Sequence, residues 1–89
     1  MDNLLNPPKL ISGQYSLLQV DVNTGHVLQI NGSLYLGKGE TFKLFNNLAE
    51  AKRFSEKQIE INSNLEFVIY DWNGKGILLI NRFETKIIK

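Results

Sequence analysis

The chain contains no cysteine, and it has one histidine, one methionine and one tryptophan. Without cysteine there is no disulfide framework and no thiolate to act as nucleophile or metal ligand. A lone histidine, His26, cannot build a histidine metal cage. No serine, cysteine or second histidine is spaced to complete a nucleophilic set around it. We therefore expect no metal, no cofactor and no catalytic residues. An excess of one charge is also missing, with ten basic residues against nine acidic ones. Proteins that hold nucleic acid through its phosphates usually carry a clear basic surplus, so nucleic acid is disfavoured as the main partner. No apolar run approaches the roughly 18 residues of a membrane span. The N-terminal stretch lacks the basic and apolar regions of a secretory leader. These absences lead us to expect a cytoplasmic protein with no membrane partner.

What is present fits one small folded domain. The chain has 89 residues, 43% of them hydrophobic and 21% charged. A domain of that size buries roughly 60–65% of its unfolded surface, enough for a single core. Asn, Ile and Lys, whose codons are AT-rich, are abundant, which points to a bacterial or phage origin. Prolines are confined to Pro7-Pro8, where fixed φ favours extended backbone. Residues 1–14 are therefore expected to form an arm, with Leu4, Leu5, Leu10 and Ile11 available to pack on something. Residues 15–89 are expected to form a single α+β domain.

Alternation of apolar and polar residues predicts a strand over 15–22. It puts Leu18, Val20 and Val22 on one face and Tyr15, Leu17, Gln19 and Asp21 on the other. Asn23-Thr24-Gly25 turns the chain into a second strand, 26–30. Asn31-Gly32 offers a further tight turn, and Gly37 and Gly39 mark a loop before a short strand at 41–45. The period then changes. Residues 46–62 read as the one strong helix, with Asn47 as N-cap and Glu50 placed to reach back to it. Leu48, Ala51, Phe54 and Ile61 fall near one face, and Ile59 widens it. Residues 65–81 follow as a hairpin. Asn73-Gly74 suits a type I′ turn, and the apolar run 76–80 suits a buried strand. The last eight residues alternate again and can supply an edge strand whose lysines discourage edge pairing. The order β-β-β-α-β-β predicts a four- to five-stranded antiparallel sheet with one helix packed on one face.

Several residues compete for a functional role. Trp72 precedes the Asn-Gly pair and could present an aromatic surface with Lys75 beside it. Cross-strand packing is the plainer role for such a residue. Tyr15 and Tyr70 share with Trp72 the less apolar registers of their strands. If the uncovered sheet face gathers Tyr15, Tyr70, Trp72 and Lys75, that face becomes a candidate surface for a protein partner, including a second copy of the chain. Lys52, Arg53 and Lys57 on the helix form the alternative, a local nucleic-acid patch, with Lys75 and Trp72 as possible additions. "VDVNTGHVLQIN" and "YDWNGKGILLIN" align with identities at Asp21/Asp71, Asn23/Asn73, Leu28/Leu78, Ile30/Ile80 and Asn31/Asn81. A calcium loop would need a bidentate Glu at its twelfth position, where Gly32 and Arg82 stand instead. Backbone-bonding turn residues explain the repeat more simply. "GKGE" is too short, and in the wrong setting, for a phosphate-binding P-loop.

Residues 42–77 resemble small uncharacterised bacterial domains in which a meander leads to a helix and then a hairpin. The matching residues are Glu50, Ala51, Phe54, Val68, Ile69, Tyr70, Asp71 and Gly74. The resemblance implies the topology and no activity. Together these readings lead us to expect a non-catalytic interaction module, with a homodimer as one form. A nucleic-acid-associated protein and a small-ligand-binding accessory protein are the alternatives.

Overall fold

A computed structural model describes residues 6–88. Leu4 and Leu5 of the expected arm lie outside the described residues. The elements run β1 (Tyr15–Asp21), β2 (Val27–Leu28), β3 (Phe42–Phe45), α1 (Leu48–Ile61), β4 (Leu65–Tyr70), β5 (Gly76–Ile80) and β6 (Thr85–Ile87). They form one antiparallel sheet with the helix on one face, the expected α+β class. The sheet has six strands, more than the four or five expected. The sixth is β6, the edge strand that the alternation of the last eight residues allows, which pairs Thr85 with Ile80 and Ile87 with Leu78.

The strand order is β2-β1-β4-β5-β6, and β3 also pairs with β1. Both β2 and β3 lie along the same side of β1. Val27 and Leu28 face Val20 and Gln19, while Phe42 to Phe45 face Leu18 to Tyr15. Leu28 and Phe42 thus occupy neighbouring rungs of one ladder. Residues 29–41 leave the edge and return to it as a compact excursion with adjoining ends, in the manner of an Ω-loop. This is why the strand expected over 26–30 shrinks to two residues. The stretch 33–37 contributes only a single bridge, Leu34 to Leu28.

The helix chooses its face of β1 against the more obvious pattern. Leu17, Leu65, Phe67, Ile69, Leu78 and Ile80 join Ala51 in one buried cluster. The covered register of β1 is therefore that of Tyr15, Leu17 and Gln19, set by the long apolar side chains opposite it on β4. Phe67 and Ile69 are fully buried, and each such side chain contributes about 1.5–3 kcal/mol. Ser16, Leu18 and Val20 are buried on the reverse face. Phe45, Phe54 and Phe67 form a chain of ring contacts between sheet and helix, at 5.4 and 6.0 Å.

Asn47 caps the helix as expected, its Oδ1 accepting from the Glu50 N–H at 2.8 Å. Ala51 and Ser55 are the fully buried helix positions. Ile61, expected on the core face, is 76% exposed. It sits in the final turn, about 80° round the helix from Ala51 and about 120° from Ser55, the two fully buried positions. The helix packs chiefly on β4, β1 and β3; Leu78 and Ile80 of β5 still reach the core, and the exposed flank is β6.

Candidate functional site

The four residues of the expected surface do not share a face. Tyr15 packs against the helix-side core, and Trp72 meets its ring edge-on at 5.7 Å. Tyr70 pairs with Ser16 across the ladder and so points to the opposite face, where it meets Phe42 edge-on at 5.9 Å. Strand alternation forces the split, because Tyr15 and Ser16 are consecutive. Lys75 is exposed at the hairpin end. Trp72 is half-buried, and its carbonyl accepts a hydrogen bond from the Leu10 N–H at 3.0 Å. It therefore ties the N-terminal arm to the hairpin while its ring braces β1. Burial pushes the Tyr70 phenol above its ordinary value.

The hairpin turn also differs from the type I′ expected. That turn needs positive φ at two consecutive residues. Among the described residues only glycines have positive φ, so Asn73 does not qualify. The Asp71 N–H donates to the Lys75 carbonyl and the Gly74 N–H to the Asp71 carbonyl. Trp72, Asn73 and Gly74 thus form a three-residue loop, with Gly74 left-handed at φ 81°. The Asp71 carboxylate selects this geometry by accepting from both the Asn73 and Lys75 N–H groups at 2.9 Å. The Ile30-Asn31-Gly32 turn repeats the backbone pattern between Gln29 and Ser33.

Side-chain acceptors of this kind recur around the molecule. Asp21 accepts from the Asn23 and Thr24 N–H groups, and Asn81 from those of Phe83 and Glu84. Asp21, Asn31, Asp71 and Asn81 of the sequence repeat are thus turn-builders. His26 is exposed in the first of these turns. Arg82 joins three turns at one end of the sheet. Its guanidinium donates to the Ser63 carbonyl at 2.8 Å, to Asn64 Oδ1 at 3.2 Å and to Asn23 Oδ1 at 3.4 Å. Among the described residues no three His, Asp or Glu side chains gather into a metal-ligand group, and no helix is long and apolar enough to cross a membrane.

The basic residues of the helix are mixed with acids. At about 100° per residue, Glu56 and Glu60 fall between Lys52 and Arg53 around the helix, and Lys57 is followed by Glu50. Lys52 is half-buried, and Arg53 and Lys57 are exposed. No single-sign stripe results.

Two features escaped the sequence reading. A cleft of about 400 Å³ opens between the Ile30–Gly32 turn and the end of α1. Gln19, Asp21, Asn31, Gln58, Asn62 and Asn64 supply its polar lining, and Ile30 and Ile61 are among its apolar residues. Nothing local announces it, since it exists only because residues 29–41 fold back toward the helix terminus. The second is the bare flank beside β6, where Phe83 and Ile87 are each 71% exposed. The alternation over 82–88 signalled a strand, but not that the helix stops short of it.

The positions behind the family resemblance are structural here: Ala51 and Ile69 lie in the core, and Asp71 and Gly74 build the turn. Comparison with protein-family models, curated proteins and solved structures returned no match to this chain.

Proposed function

We propose that this chain is a non-catalytic protein-interaction module that engages its partner along the β5–β6 flank. The observation that carries the reading is the pair of apolar side chains there, Phe83 and Ile87, each 71% exposed at the exposed outer strand β6. Leaving such groups in water forgoes burial worth roughly 25 cal/mol per Å², which a partner would recover. A cytoplasmic setting belongs to the proposal and is supported by the absence of cysteine, since small secreted domains are usually rich in disulfides. Affinity capture with the tagged chain, followed by titration of the captured protein, tests it. The expected result is a saturable complex, with itself or another protein, that is lost in a Phe83→Asp, Ile87→Asp double variant and kept in Arg53→Ala. A chain that forms no saturable protein complex would overturn the reading.

A specific feature favours one alternative, a small-ligand accessory role. The cleft beside Ile61 is lined by several carboxamides, among them Gln58, and by the Asp21 carboxylate; Asn31 and Asn62 accept turn hydrogen bonds through Oδ1, so their amide nitrogens and Gln58 are what a small polar ligand would engage. Shifts of the Asn31, Gln58 and Asn62 side-chain amide signals on screening neutral sugars and nucleosides would support it. The nucleic-acid alternative draws on Lys52, Arg53 and Lys57, whose interleaving with Glu56 and Glu60 weakens it. Absence of retention on DNA or RNA at low salt would dispose of it.

A further inference from the structure

We infer that the partner on this flank is a second copy of the chain, joined by antiparallel pairing of the two β6 strands about Thr85. This deepens the interaction-module reading and rests on it. The two edges of the sheet are not equivalent. On the β2/β3 side the ladder breaks between Leu28 and Phe42, where residues 29–41 leave it, so a straight incoming strand meets an obstruction. Among the described residues the β6 edge carries no such interruption.

The backbone of β6 is set for this pairing. The Glu84 carbonyl accepts from the Asn81 N–H at 3.0 Å, and the Ile88 N–H donates to the Ile77 carbonyl at 2.9 Å. In an antiparallel ladder these inward-bonded positions alternate with outward ones. Thr85 and Ile87 therefore direct their N–H and C=O groups away from β5, toward the open edge. Two copies meeting at Thr85 would exchange a reciprocal pair of N–H to C=O bonds there.

Charge selects the register. With Thr85 opposite Thr85 of the second copy, Glu84 of each copy stands directly across from Lys86 of the other. The result is two opposite-charge pairs flanking a Thr–Thr pair, all favourable cross-strand combinations. Sliding by one step to place the symmetry axis at Lys86 sets the two lysines face to face, which is unfavourable. The lysine that guards this edge against indiscriminate pairing thus also disfavours the register centred on itself, and of the registers open to β6 the one centred on Thr85 is the one that pairs Glu84 with Lys86. The same register sets Ile87 of each copy beside the Arg82-Phe83 turn that leads into β6 of the other, where the Phe83 ring lies 4.6 Å from the Arg82 guanidinium. Ile87 lies opposite Leu78, so this contact extends the core past the end of the helix cover.

Sedimentation equilibrium of the full chain over a concentration series tests the inference, with far-UV circular dichroism and thermal unfolding to verify the fold. The wild type is expected to approach twice 10.2 kDa at high micromolar concentration. Glu84→Lys and Lys86→Glu should each weaken self-association by about tenfold or more, because each introduces two like-charge contacts. The double variant carrying both changes restores complementarity and should recover the dimer. These side chains are exposed, so the folded state tolerates the changes. A monomeric wild type overturns the inference. If such a monomer still captures a different protein through Phe83 and Ile87, the module reading survives. If it captures nothing, both fall. A dimer indifferent to the single reversals, or not rescued by the double one, overturns the β6 pairing while leaving the module reading intact.

Discussion

Two serines in this domain have no exposed surface at all, and they should respond in opposite directions to the same substitution. Ser16 lies on β1 between Leu44 and Tyr70, and its hydroxyl has no hydrogen-bond partner among the described residues. Ser55 lies on α1, and its hydroxyl donates to the Ala51 carbonyl at 2.9 Å. A buried hydroxyl without a partner costs about 1–3 kcal/mol of desolvation. Ser16→Ala removes that cost at the expense of a few packing contacts, so we expect stabilisation of about 1 kcal/mol. For a domain of this size that raises Tm by about 4–8 °C. Ser55→Ala loses a bond worth about 1 kcal/mol net and regains roughly half of it through the higher helix propensity of alanine. Destabilisation of about 0.5 kcal/mol follows, so the two variants should differ by about 1.5 kcal/mol. Urea unfolding followed by Trp72 fluorescence measures this directly, provided the slope m is unchanged between variants. If Ser16→Ala is no more stable than Ser55→Ala, the Ser16 hydroxyl is satisfied in solution and the reasoning fails.

Four further outcomes follow from the packing. Phe67→Ala empties the centre of the core and should cost about 3–5 kcal/mol in the same assay; a loss below about 1.5 kcal/mol would mean that the site collapses freely. Gly74→Ala should cost about 1–2 kcal/mol for its left-handed backbone alone, since the nearest side-chain atoms stay 3.8 Å away. Gly39→Ala should cost more, because its new methyl group would also displace the Gln29 side chain; equal losses would contradict this. The Tyr70 phenol, raised by burial, should ionise in the folded chain above the ordinary value of about 10. Its contribution to stability is then complete below pH 10 or so and is lost as pH rises through the folded value, because the unfolded chain releases the proton first. Urea titrations between neutral and strongly alkaline pH should show a steeper alkaline loss than in Tyr70→Phe; parallel curves would refute the shift. Arg82→Ala should cost about 1 kcal/mol and speed amide exchange at Val22, whose N–H bonds the Asn64 carbonyl within the three-turn cluster. Unchanged exchange there would show that Arg82 does not hold those turns together.

The local devices of this fold were legible because each depends on neighbours a few residues away. Asn47 caps the helix through an atom three residues on, and Gly25 and Gly74 occupy the left-handed positions that turn the chain. The turn type at residues 72–74 was misread because Asn-Gly is compatible with more than one loop. The choice fell to Asp71, whose carboxylate holds two backbone N–H groups of the three-residue form. Ile61 differs because the buried face is centred on Ala51 and Ser55, and in the last turn Ile61 lies at the margin of that face.

By itself, the sequence determined the class of fold, the single capped helix, the positions of the turns and the strand periods. These are set by backbone preferences and by side-chain spacing along one segment of chain. Only the tertiary structure decided that α1 covers the Leu17 register of β1 instead of the Leu18 register, since both are apolar and the choice rests on Phe67 and Ile69 of a distant strand. It also decided that Tyr15 and Tyr70 part company across the sheet, that residues 29–41 interrupt one edge, and that the other edge is left open with Phe83 and Ile87 beside it. Those outcomes depend on which strands become neighbours and in what register, and a pattern of period two is the same whichever neighbour the strand finds.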